Sequence, residues 1–315
     1  MKFWGAILVS GVFALSLGSA AQNLAPPTQP PAAVPTDDTT RILVDVTRVN
    51  MLFTVTDKKG RFITDLNKDD FEVIEGKKPQ VIQEFTAETD LPLRIGILVD
   101  TSSSIRERFK FEQEAAVQFL NSVVHPGADK AMVVSFDTSA ELVADLVDDT
   151  LKLDSAIRSL RPGGGTALYD AIFFACRDKL LQDQPRHKFR RAIVLVSDGE
   201  DNQSRYSRDQ ALEMAQKADV VIYAISTNIT RIETDGDKVL RYLTQETGGR
   251  AFFPSQVTEL NAIYTQIADE LSSQYTVGYT SKNSRRDGAW RRIVVRVGRP
   301  SVNARTKQGY FAPSH

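Results

Sequence analysis

Four runs of nearly continuous apolar residues constrain this chain more than any other feature. They are "RIGILV" (94–99), "AMVVSF" (131–136), "AIVLVS" (192–197) and "VVIYAI" (220–225). A strand that is apolar on both faces has to be covered on both, as in a mainly parallel sheet sandwiched by helices. The segments between the runs have helical periodicity. In "RFKFEQEAAVQFLNSVV" (108–124), Phe109, Ala116, Phe119, Leu120 and Val123 recur at helical spacing. "SRDQALEMAQKA", "DKVLRYLTQETGG" and "VTELNAIYTQIADELSS" also read as helices, the second stopped by its glycine pair. Residues 91–273 are therefore expected to form a doubly wound α/β domain.

The flanks follow other rules. Residues 1–21 read as a secretory signal: Lys2 is the positive start, an apolar run extends to Leu17, and small residues lead to cleavage after Ala21. That run is too short for a comfortable span, which needs about 20 residues, and an uncleaved anchor is the alternative reading. A Pro-, Ala- and Thr-rich linker (22–40) lacks the residues to build a core. Residues 41–90 and 274–315 carry short, β-branched runs between turn signals, with "RFITDL" among the expected strands. Each flank is small for independent stability, so the two are expected to pair into one β-sandwich with the α/β domain inserted. Cys176 is the one cysteine, so an exported chain cannot form an internal disulfide. With Leu168, Ile172 and Leu180 it shares a helix face, as a buried structural thiol does.

In doubly wound sheets the working residues gather beyond the carboxyl ends of the strands. Asp100 stands there in "GILVDTSSSI", Asp198 in "SDGEDN", and "RPGGGTALYDAI" delivers Thr166 to a helix start. Two carboxylates and several hydroxyls then converge on one rim, a set that suits a hard divalent cation. Ser102 and Ser104, two residues apart, can aim hydroxyls at one point. Asp100 and Asp198 supply negative charge, directly or by holding coordinated water. Taken singly, the serines and Thr166 could be helix caps, Asp170 a helix-dipole partner, and Asp198-Gly199 a turn.

The order Asp100-x-Ser102-x-Ser104, then Thr166, then Asp198, resembles the metal-ion-dependent adhesion site of von Willebrand factor type A domains. "DFEVIEGKKPQVIQEF", "YTVGYTSKN" and "GYFAP" extend the likeness to the bacterial proteins called VWFA-related. The resemblance implies that the serines and the threonine bind the metal through hydroxyls while the aspartates act mostly through water. It implies Mg²⁺ first, with Mn²⁺ or Ca²⁺ as alternatives, and an open position filled by an Asp or Glu of a protein partner. It also implies a last helix, Val257–Ser273, that can couple capture to the tail.

Other chemistries fit less well. "LVDTSSS" is like the aspartic protease element, but no second copy follows, and Asp198 is succeeded by Gly199-Glu200. His125, His187 and His315 lack evident orienting acids, and no G-x-S-x-G elbow occurs. "GGGT" lacks the lysine of a phosphate loop. A net charge of −1 gives nothing global to attract nucleic acid, and "RHKFRR" (186–191) reads as a solvated loop. The expectation is an exported, non-catalytic docking module, the alternatives being a metal-independent envelope scaffold and a metal-assisted hydrolase.

Overall fold

The computed structural model describes residues 48–87, 91–103, 109–184, 188–228 and 232–314. The expected leader and linker, Ser104, the start of the helix after it, His187 and His315 lie outside these residues.

The N-terminal part gives β1 (Arg48–Asp57), β2 (Phe71–Glu75), β3 (Lys78–Gln80) and β4 (Ile82–Thr86). Next come β5 (Leu93–Asp100), α1 (Phe109–Val123), β6 (Lys130–Phe136), β7 (Ala140–Val147), α2 (Thr150–Ser159) and α3 (Leu168–Phe174). They are followed by β8 (Arg190–Ser197), α4 (Arg208–Lys217), β9 (Val220–Ser226), α5 (Asp235–Thr247), β10 (Ala251–Phe252) and α6 (Leu260–Ser272). The tail gives β11 (Tyr275–Thr280), β12 (Trp290–Val297), β13 (Val302–Thr306) and β14 (Gly309–Phe311).

The central sheet has the order β10-β9-β8-β5-β6-β7, parallel except for the antiparallel edge strand β7. Every residue of β5 and β9 is buried, as unbroken apolar runs require. One apolar layer packs α1, α2 and α6 on the sheet through residues such as Phe119, Ile157 and Ile267. The other packs α3, α4 and α5 through Ile172, Leu212 and Leu243. Cys176 lies in that second layer, fully buried, and burial pushes its thiol far above the ordinary range. It continues α3 in a π-helical turn (Ala175–Leu180).

Two elements escape a reading by hydrophobic runs. β7 is half-exposed along most of its length, so its sequence shows no buried run. α2 is set by its cap, the Asp149 carboxylate accepting from Leu151 N and Lys152 N at 3.0 and 3.1 Å. The basic run also differs from expectation. Arg190 and Arg191 begin β8 and turn inward, Arg190 Nε donating to Leu91 O and Arg191 Nε to Leu180 O, both at 2.7 Å. They cap carbonyls at the lower end of the sheet, where they offer no surface to a polyanion.

The flanks pair across the chain. One antiparallel sheet runs β13-β1-β11-β4 and a second runs β14-β12-β2-β3, so each mixes strands from both ends of the sequence. A third core, separate from those of the α/β part, gathers Met51, Phe53, Val73, Val277 and Ile293 from both sheets. Tyr275 stacks on Phe53 at 5.6 Å and its hydroxyl donates to Ile63 O at 2.9 Å. Strands β4 and β11, which bracket the α/β segment, are direct neighbours with Thr86 opposite Thr276. The inserted segment thus leaves and re-enters the sandwich at one place. "RFITDL" contributes only an isolated bridge, Thr56 to Phe62.

Candidate metal centre

Asp100 is the last residue of β5 and is wholly buried. Its Oδ1 accepts from Ser102 N and its Oδ2 from the Ser197 hydroxyl, each at 2.8 Å. The Ser102 hydroxyl bonds to it as well. Burial is the largest influence on this carboxyl and pushes it up to about 6; the serine donors oppose that rise, and the negative charge of Asp198 adds to it. Two carboxylates of one sign, one of them desolvated, stand near each other at the end of a buried strand.

The glycine loop is fastened to this strand end. Gly163 N donates to Thr101 O at 2.6 Å, and the Ser103 hydroxyl donates to Gly164 O at 3.1 Å. Gly164 has φ +80°, and a Cβ there would come within 2.8 Å of Thr138 Oγ1, so the loop also presses against the turn after β6. Thr166 is held from both sides by the segment beyond Asp198. Its N–H donates to Asn202 Oδ1, and its carbonyl accepts from Asn202 N and Gln203 N, all at 3.0 Å. Thr166 does not cap the following helix: the N-cap of α3 is Ala167, with no side-chain bond. Its hydroxyl, on a residue 5 % exposed, makes no hydrogen bond among the described residues.

Asp198 follows β8 directly, and its Oδ1 accepts from Glu200 N at 3.0 Å. Gly199 has φ +81°, and a Cβ on it would stand 2.2 Å from the carbonyl oxygen of Gly236 in the first turn of α5. That contact sets where the Asp198 loop can run. Hydrogen bonds therefore stitch residues 100–103, 163–166 and 197–203 into one rim, with Asp100, Ser102, Thr166 and Asp198 distributed over the three segments.

The sequence reading missed the residues that hold the loops. Asp170 carries two loop amides, Arg205 N at 2.8 Å and Tyr206 N at 3.0 Å, in addition to lying in the first turn of α3. The Ser204 hydroxyl accepts from Asp170 N and donates to Asp201 Oδ1 at 2.5 Å. The turn-forming run "DNQS" after Asp198 was the signal for this clamp.

The donor set is all oxygen, and among the described residues no three His, Cys, Asp or Glu side chains cluster. Hydroxyls and carboxylates without thiolate or imidazole fit a hard divalent cation, and a positive ion beside Asp100 would offset the cost of its buried charge.

The model of the von Willebrand factor type A domain family matches residues 95–200, which include all five positions expected at the site. The chain carries a von Willebrand factor type A domain. Solved structures agree on the fold. A von Willebrand factor type A protein from Catenulispora acidiphila is 12 % identical, with a TM-score of 0.51, covering 84 % of this chain and 75 % of that one. Proximal thread matrix protein 1 from the mussel byssus, whose MIDAS motif is occupied by zinc, is 20 % identical with a TM-score of 0.51. The alignment covers 63 % of this chain and 50 % of the mussel chain, so this chain spans half the length of that protein. No curated protein matches the sequence. A protein-interaction module is the general class to which such a domain belongs.

Proposed function

We propose that this protein is an exported docking module which captures an acidic group of a partner protein through a divalent cation, Mg²⁺ foremost. Ser102, Ser104 and Thr166 would offer hydroxyl oxygens to the ion, and Asp100 and Asp198 would act mostly through coordinated water. The place left open takes an Asp or Glu carboxylate of the partner. The observation that carries the reading is the stitched rim, in which Asp100 is buried beside a second carboxylate and the Thr166 hydroxyl has no hydrogen-bond partner among the described residues. A carboxylate buried as Asp100 is costs free energy in an idle sheet end and is useful beside a cation.

A single carboxylate–metal contact confers little selectivity, so the surrounding loops choose the partner. The segment after Asp137 and the stretch 200–208 border the glycine loop and are positioned for that task. The leader (1–21) directs export, the linker (22–40) gives reach, and residues 91–273 form the docking domain between sandwich halves 41–90 and 274–315. Among the described residues no helix is long and apolar enough to cross a membrane.

The test is thermal denaturation of residues 22–315 with EDTA, Mg²⁺ or Mn²⁺, followed by capture of envelope or medium proteins under the same conditions. Millimolar metal should raise the melting temperature of wild type and leave Asp100→Ala unmoved. Prey retained only by wild type with metal supports docking. No rise at saturating metal would reduce the site to a scaffold, and metal-dependent turnover of a peptide or phosphoester would make it a hydrolase.

A further inference from the structure

One end of the sandwich collects cations on a chain whose net charge is −1. Strands β2 and β3 meet there in the two-residue turn Gly76-Lys77, with Glu75 opposite Lys78 and φ of +53° and +69° in the turn. Glycine or asparagine is the ordinary choice for such a conformation, so Lys77 keeps its charge there at some backbone cost. Gly76 N donates to Arg292 O at 3.2 Å, which puts Arg292 beside the turn. The loop after β11 closes on the same place. Lys282 N donates to Gln80 Oε1 at 3.1 Å, and the buried Arg291 donates to the carbonyls of Asn283 and Arg285. Lys77, Lys78, Arg285 and Arg292 are exposed, and among the described residues none of the four pairs with a carboxylate. The acids around them are engaged: Glu75 and Asp287 face Arg291, and Glu84 pairs with Arg48.

The sheet face beside these cations is apolar where a solvated face is ordinarily polar. β12 alternates without a break, with Arg291, Ile293 and Val295 buried and Trp290, Arg292, Val294 and Arg296 exposed. The register sets Val294 opposite Ile74 and Ile74 opposite Pro79, so three apolar side chains form a row across three strands. On either side of Val294, Arg296 pairs with Glu72 at 3.3 Å while Arg292 has no acid among the described residues. Trp290 is 37 % and Val294 41 % exposed, and Val81, two residues beyond Pro79, is 65 % exposed. Trp290 is fixed as well as exposed. A Cβ on Gly309 would stand 2.7 Å from its ring, and Phe311 meets it edge-on at 4.9 Å. Single exposed apolar residues are common, but a row of them bordered by unpaired cations is not.

We infer that this end of the sandwich docks peripherally on an anionic lipid surface, with Lys77, Lys78, Arg285 and Arg292 among the phosphates and Trp290 and Val294 in the headgroup layer. Attraction to such a surface decays within a Debye length, so the local excess of cations outweighs the overall charge of the chain. An indole suits the boundary between water and acyl chains, and the long stems of lysine and arginine let their charged ends reach the phosphates. A soluble polyanion would satisfy the cations but would leave Pro79, Val81 and Val294 in water. A bilayer satisfies both parts of the patch. The docking uses none of the rim residues and stands whether or not they hold a metal.

Trp290 is the one tryptophan in residues 22–315, so its fluorescence reports the docking directly. The experiment titrates residues 22–315, in EDTA, with vesicles of phosphatidylcholine alone or with one-third phosphatidylglycerol. The mixed vesicles should shift the emission to the blue and bind about tenfold more tightly than phosphatidylcholine, and brominated acyl chains should quench the indole. The double variant Lys77→Glu/Arg292→Glu should weaken binding about tenfold and Val294→Thr about threefold, both at the melting temperature of wild type. No binding to mixed vesicles, equal affinity for the two vesicle types, or wild-type affinity in the charge variant overturns the proposal. Tighter binding to soluble polyphosphate, with no quenching by brominated lipid, also overturns it, since the ligand is then a polyanion in water. EDTA throughout keeps the outcome independent of whether the rim binds metal.

Discussion

Asp100 and Gly199 show what single residues do at the rim. Asp100 is a charge placed where water does not reach, held by Ser102 and Ser197 and lifted to about 6 chiefly by burial. Asp100→Asn removes that charge and keeps the shape. In EDTA its stability in urea should stay within about 1 kcal/mol of wild type, because losing a costly buried charge offsets weaker hydrogen bonds. The metal-dependent rise in melting temperature should vanish. Gly199→Ala acts through the backbone instead. A side chain at φ +81° is strained, and its Cβ would drive into the Gly236 carbonyl. The expected loss is about 3 kcal/mol with or without metal, read by urea denaturation. Thr166→Val is nearly isosteric and removes a hydroxyl that makes no hydrogen bond among the described residues. Stability in EDTA should be unchanged while metal affinity falls at least tenfold, measured by titration calorimetry. Asp100, Ser102 and Asp198 were legible as rim positions because they follow the buried strands β5 and β8, whereas Thr166, in the loop between α2 and α3, was marked by the glycines before it. Asn202 and Asp170 were not, since their work depends on which loops lie side by side.

At the scale of elements, α6 is the connection between the α/β domain and the sandwich. Its Glu270 is 2 % exposed, accepts from the Tyr223 hydroxyl at 2.9 Å, and pairs with Arg305 of β13. Burial and the Glu270 charge hold the Tyr223 hydroxyl well above the ordinary range, so it stays a donor at any physiological pH. Arg305→Met leaves Glu270 buried without its cation and should cost about 3 kcal/mol in urea denaturation. Glu270→Gln in the same background should recover most of that loss, since an uncharged group needs no counter-ion. A double variant as unstable as Arg305→Met alone would assign the effect to packing of the arginine stem. The helices other than α2, and the four buried strands, could be read from periodicity. Edge strand β7 could not, because a strand with one partner and an exposed face shows no unbroken apolar run. The inward turn of Arg190 and Arg191 was hidden for a related reason: composition reports charge but not direction.

The described residues form a sandwich with an α/β domain set into it, each part with cores of its own. The pairing of the flanks was expected from their small size, and β1 lies between β13 and β11. Deleting residues 274–315 removes four strands and leaves β1 to β4 with exposed edges. That variant should lose the sandwich and aggregate, whereas residues 91–273 alone should keep a cooperative thermal transition; loss of both transitions together would show the parts to be one folding unit. At the rim, three pieces of chain are proposed to cradle a divalent ion. The most direct measurement is anomalous scattering from crystals of residues 22–315 grown with Mn²⁺. The account predicts one peak within about 2.3 Å of the Ser102 and Thr166 hydroxyl oxygens, absent in Asp198→Ala. A peak elsewhere, or none at saturating Mn²⁺, would contradict it.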